Sequence, residues 1–243
     1  AMVIVADLLR NLVPDEGDWI LFSDEAAYAW AAGQAQAILP PAGSSDDPVL
    51  ILYTSGTTGR AKGVQLSPYN LSFLARMAHE LWAFTDASTN LVSTPLFHIG
   101  GIGWGLLAVT QGGRTVLTRE TAADALVDLM KRHAVTHVFM VPTMIQRLVD
   151  HIEATGISTP AIEHLFYGAA PIGDALLRRA LTAFGCGFHH VYGMTETAGT
   201  VVTLGPADHD PDGPYPQRLQ SCGRAMPWVE LEIVDPATGA TLP

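Results

Sequence analysis

Within ten positions, Thr54-Ser55-Gly56-Thr57-Thr58-Gly59-Arg60-Ala61-Lys62-Gly63, the sequence places four hydroxyl side chains, three glycines and one lysine. Together these residue types suit an anion. Glycines let backbone N–H groups approach phosphate oxygens closely, hydroxyls donate to the same oxygens, and lysine adds a point charge. Lys62 is one of two lysines in the chain, the other being Lys131. The segment is not a Walker A loop, which would require glycine at position 61 and a hydroxyl residue at 63, where Ala61 and Gly63 stand. Other reactive side chains form no comparable set. His133, His137, His189 and His190 have no carboxylate or cysteine at metal-ligand spacing and read as structural. Cys186 and Cys222 lie in no C-x-x-C pair and read as small buried hydrophobes in a reducing compartment.

Such a loop works only if rigid elements hold it. Val49-Leu50-Ile51-Leu52-Tyr53 is a continuous apolar run that reads as a buried strand. Beyond the loop, Ser67-Pro68 is an N-cap followed by proline at the first helical position. The apolar residues Leu71, Leu74, Ala75, Ala78 and Trp82 then share one helical face. Further strands are expected at 91–93, 115–117, 136–141, 165–167 and 187–192. Helices are expected at 102–109, from a cap near Thr121, from Pro142, and at 174–184. Strands separated by helices of about 10–15 residues mean βαβ units, a mainly parallel sheet and an α/β fold. Residues 40–48 read as a linker and 205–218 as a long surface loop. The alternation over 228–234 resembles an antiparallel strand.

The composition excludes several classes. The chain has 243 residues, a formal net charge of −11 and 48% hydrophobic residues, too apolar for disorder and without the basic clusters that nucleic acid needs. No run approaches the ~18 apolar residues of a spanning helix. The first residues reach Asp7 too early for a signal peptide, so the cytoplasm is the expected compartment. Charged residues make up 15%, below the roughly 25% of an ordinary soluble domain.

Four motifs in order carry a resemblance. Tyr53-Thr54-Ser55-Gly56-Thr57-Thr58-Gly59 with Lys62-Gly63 is followed by Pro95-Leu96-Phe97-His98, Gly168-Ala169-Ala170-Pro171 and Tyr192-Gly193-Met194-Thr195-Glu196. The run from Cys222 to Pro227 matches as well. The chain resembles the adenylate-forming superfamily of acyl-CoA synthetases, luciferases and peptide-synthetase adenylation domains over essentially its whole length. Ala61 departs from the family's usual proline, which would rigidify the loop.

The resemblance implies an AMP-forming fatty-acid-CoA ligase with ATP, coenzyme A and an apolar carboxylic acid as substrates and Mg²⁺ as cofactor. It assigns Thr54, Ser55, Gly56, Thr57, Thr58, Gly59 and Lys62 to the phosphates of ATP. Gly168, Ala169, Ala170, Tyr192, Gly193 and Thr195 fall to AMP, with Tyr192 stacking on adenine. Glu196 takes the metal, and Lys62, Thr195 and Glu196 are the catalytic set. His98, Gly100, Gly101 and Trp104 line the acyl pocket. Amino-acid-activating relatives carry an aspartate in this neighbourhood, and Ile99-Gly100-Gly101-Ile102-Gly103-Trp104 has no acid, which suits an apolar substrate. The expected organisation is a leading segment and linker (1–48), an α/β nucleotide- and acyl-binding core (49–204), and a loop entering a further β region (205–243). The family's T-G-D motif and small C-terminal domain, with its adenylation lysine, are not found. The chain is therefore expected to be an internal part of the large domain, inactive alone, with that C-terminal domain as a partner; a homodimer stays open. Alternatives are a non-catalytic nucleotide-binding module, an aryl-acid ligase or a luciferase-like enzyme.

Overall fold

The computed structural model describes residues 3–6, 19–22, 43–56 and 59–242, so Thr57 and Thr58 of the glycine/threonine loop lie outside the described residues. The chain divides into two compact units between Ser44 and Ser45. In the first, β1 (Val3–Ala6) pairs in parallel with β2 (Trp19–Phe22), Val3 opposite Trp19. The second unit holds everything that follows.

It begins with an antiparallel hairpin of β3 (Leu50–Thr54) and β4 (Lys62–Leu66), which forms a sheet of its own. The glycine/threonine loop is thus the tip of a hairpin, whereas the sequence suggested a strand–loop–helix junction. The apolar run is also not a buried strand: Leu52 is buried, while Val49, Ile51 and Tyr53 on the other face are 51–70% exposed. A two-stranded sheet covers one face only, so the strand alternates. Helix α1 (Pro68–Arg76) follows, with the expected cap. Asn70 N–H donates to Ser67 Oγ (3.3 Å) and Ser67 N–H to Asn70 Oδ1 (3.0 Å). It runs into a wider π turn over Met77–Leu81.

The remaining strands are β5 (Thr89–Val92), β6 (Arg114–Leu117), β7 (His137–Met140), β8 (His164–Gly168), β9 (Gly187–Met194), β10 (Gly199–Leu204) and β11 (Arg224–Ala225). They form one sheet in the order β11-β10-β9-β8-β7-β5-β6, parallel from β6 to β9, with β10 and β11 added antiparallel. Helices α2 (Ile99–Thr110), α3 (Ala123–Arg132), α4 (Pro142–Thr155) and α5 (Asp174–Phe184) make the crossovers. Helix α3 starts at Ala123 without a side-chain cap, so Thr121 does not cap it. Helices α4 and α5 end at Gly156 and Gly185, both left-handed (φ 64° and 58°), a conformation in which glycine has no Cβ to clash.

Strand alternation builds two cores. Leu91, Val138, Met140, Leu165 and Tyr167 face α3, α4 and α5, where they meet Met130, Ile145, Leu148 and Leu177. Val92, Phe139 and Phe166 face the other way, toward Met77, Trp82, Phe84, Trp104 and Leu107. The chain passes from β5 to β6 on one side and then returns to place β7 on the other. This reversal opens a crevice at the carboxyl ends of β5 and β7, the place where open α/β sheets bind ligands. No strand forms over 228–234. The only pairing nearby is an isolated bridge between Val234 and Thr241, and Leu231, Ile233 and Val234 are exposed. Apolar alternation without a partner strand does not make a sheet.

A row of histidines crosses the sheet. His137 is buried on β7 opposite His164 on β8, and His164 Nδ1 lies 3.1 Å from Nε2 of buried His189 on β9. His137 stacks on Phe84 (4.0 Å between centroids) and His189 on Phe166 (4.3 Å). Burial holds His137 and His189 near pKa 4 and 3, and lowers His164, His190 and His209 as well; Glu163 beside His164 and Asp208 beside His209 oppose this. Native values below the ordinary 6.5 mean that the unfolded chain takes up protons first as pH falls. Stability is therefore complete above about pH 7 and lost from there down toward pH 4, at about 1.4 kcal/mol per buried histidine per pH unit. Thermal melts are expected to show a midpoint about 10 °C lower at pH 5 than at pH 7.5. A flat profile would contradict the assignment of these rings as neutral.

Candidate active site

The carboxyl ends of four parallel strands converge on one cavity of about 360 Å³. Its wall takes Thr94, Pro95 and His98 after β5, Val141 after β7, Ala169 after β8 and Thr195 after β9. Helix α2 supplies Gly100, Gly103, Trp104 and Leu107, and Phe139 and Trp82 close the interior. Among the described residues, no aspartate, glutamate, lysine or arginine lines it. Trp104 is locked in place: its indole N–H donates to Leu91 O (3.1 Å), and Asn90 Nδ2 donates to Trp104 O (2.7 Å). His98, Gly100 and Trp104 all line this cavity. Gly101 does not line the cavity. It is buried against the preceding loop, where a Cβ would come within 2.0 Å of Pro95 O, so its small size serves the close approach of helix and loop.

A second cavity of about 380 Å³ lies beyond β8 and β9, lined by Tyr167, Ala169, Ala170, Pro171, Tyr192, Gly193 and the turn Leu219–Cys222. Ala169, Val191 and Gly193 belong to both walls. Ala169 adopts a left-handed backbone (φ 63°), which turns the chain sharply at the end of β8. Gly168 lies beneath this cavity instead of lining it. A Cβ there would meet Val191 O at 2.2 Å, so the glycine lets β8 and β9 close up under the turn. Thr195 lines the first cavity and not the second.

Polar clamps set the second cavity's far side. His209 Nδ1 is 2.9 Å from Gly205 O, so it carries the proton, and Nε2 accepts from Tyr167 O–H at 2.9 Å. Burial keeps the Tyr167 phenol protonated well above the ordinary range, as that bond requires. His190 Nδ1 donates to Cys222 O (3.2 Å) and ties the 219–222 turn to β9. Cys222 is exposed, contrary to its expected burial, because it sits at this cavity's rim. Cys186 is half-buried, and desolvation pushes its pKa up to about 12.

The hairpin tip reaches the same place. Thr54 Oγ1 donates toward Glu196 Oε1 at 3.5 Å, joining motifs 142 residues apart. Lys62 pairs with Thr54 across the hairpin. Gly56 has φ 61°, and a Cβ there would lie 2.3 Å from Arg60 O, so the tip closes as it does only with glycine. Ser55 and Gly59 lie on the same exposed tip. The donor set at this junction is one carboxylate with a hydroxyl beside it. Among the described residues no group of three or more His, Cys, Asp or Glu side chains could hold a metal. A hard cation that keeps most of its oxygens from phosphate and takes one from a carboxylate fits such a set.

Several contributors were not legible beforehand. Thr94 donates to Gly100 O (2.9 Å) and ties the loop after β5 to the first turn of α2. Trp82 enters the first cavity's wall from the end of the π turn, Phe139 through sheet alternation, and Ala198, Gly199 and Thr200 through the tight β9–β10 turn. Only the chain reversal at Ala198 (φ 56°) brings that turn inward, and no residue type announces it.

A family model described as "AMP-binding enzyme" matches residues 4–243. The fatty acid–[acyl-carrier-protein] ligase ScoC of Streptomyces coeruleorubidus is 34% identical over 226 residues, 90% of this chain and 42% of the relative. The 4-coumarate–CoA ligase 3 of Oryza sativa subsp. japonica is 34% identical over 209 residues, 81% of this chain and 36% of the relative. Among solved structures, the O-succinylbenzoate coenzyme A synthetase MenE of Bacillus subtilis, in complex with ATP and magnesium ion, superposes with a TM-score of 0.78 at 25% identity. That match covers all of this chain and 48% of the other. The chain thus spans about two fifths of the length of the curated relatives it matches.

Proposed function

The chain belongs to the AMP-binding enzyme family, and from that we propose that its protein activates an apolar carboxylic acid with ATP and passes the acyl group to a thiol. In the first half-reaction the carboxylate oxygen attacks the α-phosphorus of ATP. The bond to the bridging oxygen breaks and pyrophosphate leaves, giving an acyl-adenylate. In the second, a thiolate attacks the acyl carbon and AMP departs, leaving a thioester. Coenzyme A is the acceptor this reading favours; acyl-carrier protein is the other thiol named among the relatives.

The observation that carries the proposal is the pair of cavities sharing Ala169, Val191 and Gly193. One is apolar, lined among the described residues by no acidic or basic side chain other than His98, and suits an acyl chain. The other, beneath exposed Tyr192, suits a nucleotide base. The carboxylate and α-phosphate would meet at the shared wall, which accounts for the small residues there. Lys62 and the hydroxyls of Thr54, Ser55, Thr57 and Thr58 would neutralise and orient the outgoing phosphates. Glu196 and Thr195 would hold Mg²⁺ with its phosphates, and that ion would contribute charge neutralisation.

A second reading, activation of an aryl acid, is favoured by Trp82, Trp104 and Phe139 in the first cavity. The experiment is acid-dependent ATP–pyrophosphate exchange by the protein across fatty acids of graded length, aryl acids and amino acids. Best exchange with an apolar acid is expected, and preference for an amino acid would overturn the proposal. The same assay reads the pocket. A Cβ on Gly100 would sit 3.4 Å from the Phe139 ring, at the cavity wall. Gly100→Leu should therefore shift the length preference toward shorter acids by about tenfold in kcat/KM ratio. An unchanged preference would place the acyl chain elsewhere.

A further inference from the structure

Strand β9 ends at Met194, a single turn of three residues carries Thr195 and Glu196, and the chain reverses into β10 at Gly199. One backbone bond braces this turn from within, Ala198 N–H to Thr195 O at 3.0 Å. The β9–β10 ladder closes it, with Met194 opposite Gly199, and one side chain adds polar contacts inside the turn. Thr197 Oγ1 accepts from Met194 N–H (3.1 Å), and its own proton lies within reach of Gly199 O (2.7 Å) and Met194 O (2.9 Å). The hydroxyl therefore bridges the last residue of one strand and the first of the next.

That bridge is made at the tightest point of the site. Gly199 O is the atom that a Cβ on Gly193 would meet at 1.8 Å. Gly199 itself has φ 111° and Ala198 φ 56°, backbone conformations that L side chains rarely adopt. Ala198 is the residue that the left-handed conformation disfavours, and Thr197 supplies polar contacts on either side of it. What it holds in place matters. Thr195 lines the acyl-side cavity, and Glu196 faces Thr54 of the hairpin tip across 3.5 Å.

We infer that Thr197 is a positioning residue: its hydroxyl staples the β9–β10 turn so that Thr195 and Glu196 meet the phosphates and cation of bound Mg·ATP. The inference rests on the function proposed above. Thr197→Val keeps the shape and branching of the side chain and removes the hydroxyl, whereas Thr197→Ser keeps the hydroxyl and removes the methyl group.

The experiment compares both variants with the parent protein by titration with Mg·ATP, amide hydrogen exchange over 192–200, and thermal melting. Thr197→Val should weaken Mg·ATP binding about tenfold, as expected for losing a bridging hydrogen bond. It should also speed exchange of the Met194 amide, with the melting midpoint of the nucleotide-free protein within a few degrees of the parent. Thr197→Ser should stay within about twofold of the parent in both. Parent-like Mg·ATP affinity in Thr197→Val would overturn the inference while leaving the proposed function standing. If Thr197→Val melts far below the parent, Thr197→Ser decides: tenfold weakening there would show that the methyl group matters and overturn the inference. If the parent itself binds no Mg·ATP, the proposed function falls, and with it the role of the staple in catalysis.

Discussion

Lys62→Ala is expected to weaken Mg·ATP binding about 30-fold, or ~2 kcal/mol, while leaving the fold intact. The size follows from the charge inventory. The chain carries a formal net charge of −11 and two lysines, and the other lysine, Lys131 on α3, donates to Ser158 in the loop after α4. Lys62 begins β4 directly across from Thr54, whose hydroxyl faces Glu196, so its side chain leaves the same face of the hairpin as that hydroxyl. The side chain is exposed and makes no salt bridge with a described residue. Removing it costs no packing, and the loss should appear in nucleotide affinity alone. Titration calorimetry with Mg·ATP checks this, with Lys62→Arg expected to recover part of the affinity. Equal binding by the parent and Lys62→Ala would remove the hairpin tip from the phosphate site.

Gly193→Ala should be the most damaging single methyl group. The added Cβ would stand 1.8 Å from Gly199 O, 2.6 Å from Gly199 C and 2.9 Å from Thr200 Cα, all backbone atoms that cannot rotate aside. Strands β9 and β10 would have to part at the turn that carries Thr195 and Glu196. The expected cost is about 2–4 kcal/mol, a fall of about 8 °C in Tm for a unit of this size. Mg·ATP binding should be lost and acid selectivity blurred, because Gly193 belongs to both cavity walls. Gly205→Ala is the matched control: nothing lies within 4 Å of its added Cβ and its φ is −84°, so Tm and binding should not move. A Gly193→Ala protein that melts and binds like the parent would show that the turn is loose, against the contacts described.

Elements whose character is written in local periodicity were legible. Helix α5 occupies 174–184 as read, and strands β5 to β9 emerge where short apolar runs separate helical patterns. Misreadings arose where the partner decides the outcome. Val49–Tyr53 has the composition of a strand buried on both faces, but it pairs only with β4, so half of it faces outward. Residues 228–234 alternate as a strand would and pair with nothing over most of their length. In the site, glycine motifs were visible as motifs, but their division of labour was not. Gly100 lines a cavity, Gly101 packs under a loop and Gly168 lets two strands close up, and only the neighbouring carbonyls tell them apart. Thr197 escaped notice because a threonine beside a motif looks like any other until the reversal at Ala198 folds it back.

The partition between the two cavities has a consequence for how such a protein can diversify. Ala169, Val191 and Gly193 are small or contribute backbone, while the bulky groups that shape the apolar chamber, Trp82, Trp104, Leu107 and Phe139, touch only that chamber. Under the proposed function, substitutions among the bulky four should retune which acid is accepted without disturbing nucleotide recognition, and the dividing wall offers fewer side chains to vary. On the same reading, variation is channelled into α2, Phe139 of β7 and Trp82 at the end of the π turn, which are the natural places to seed a library for altered substrate range.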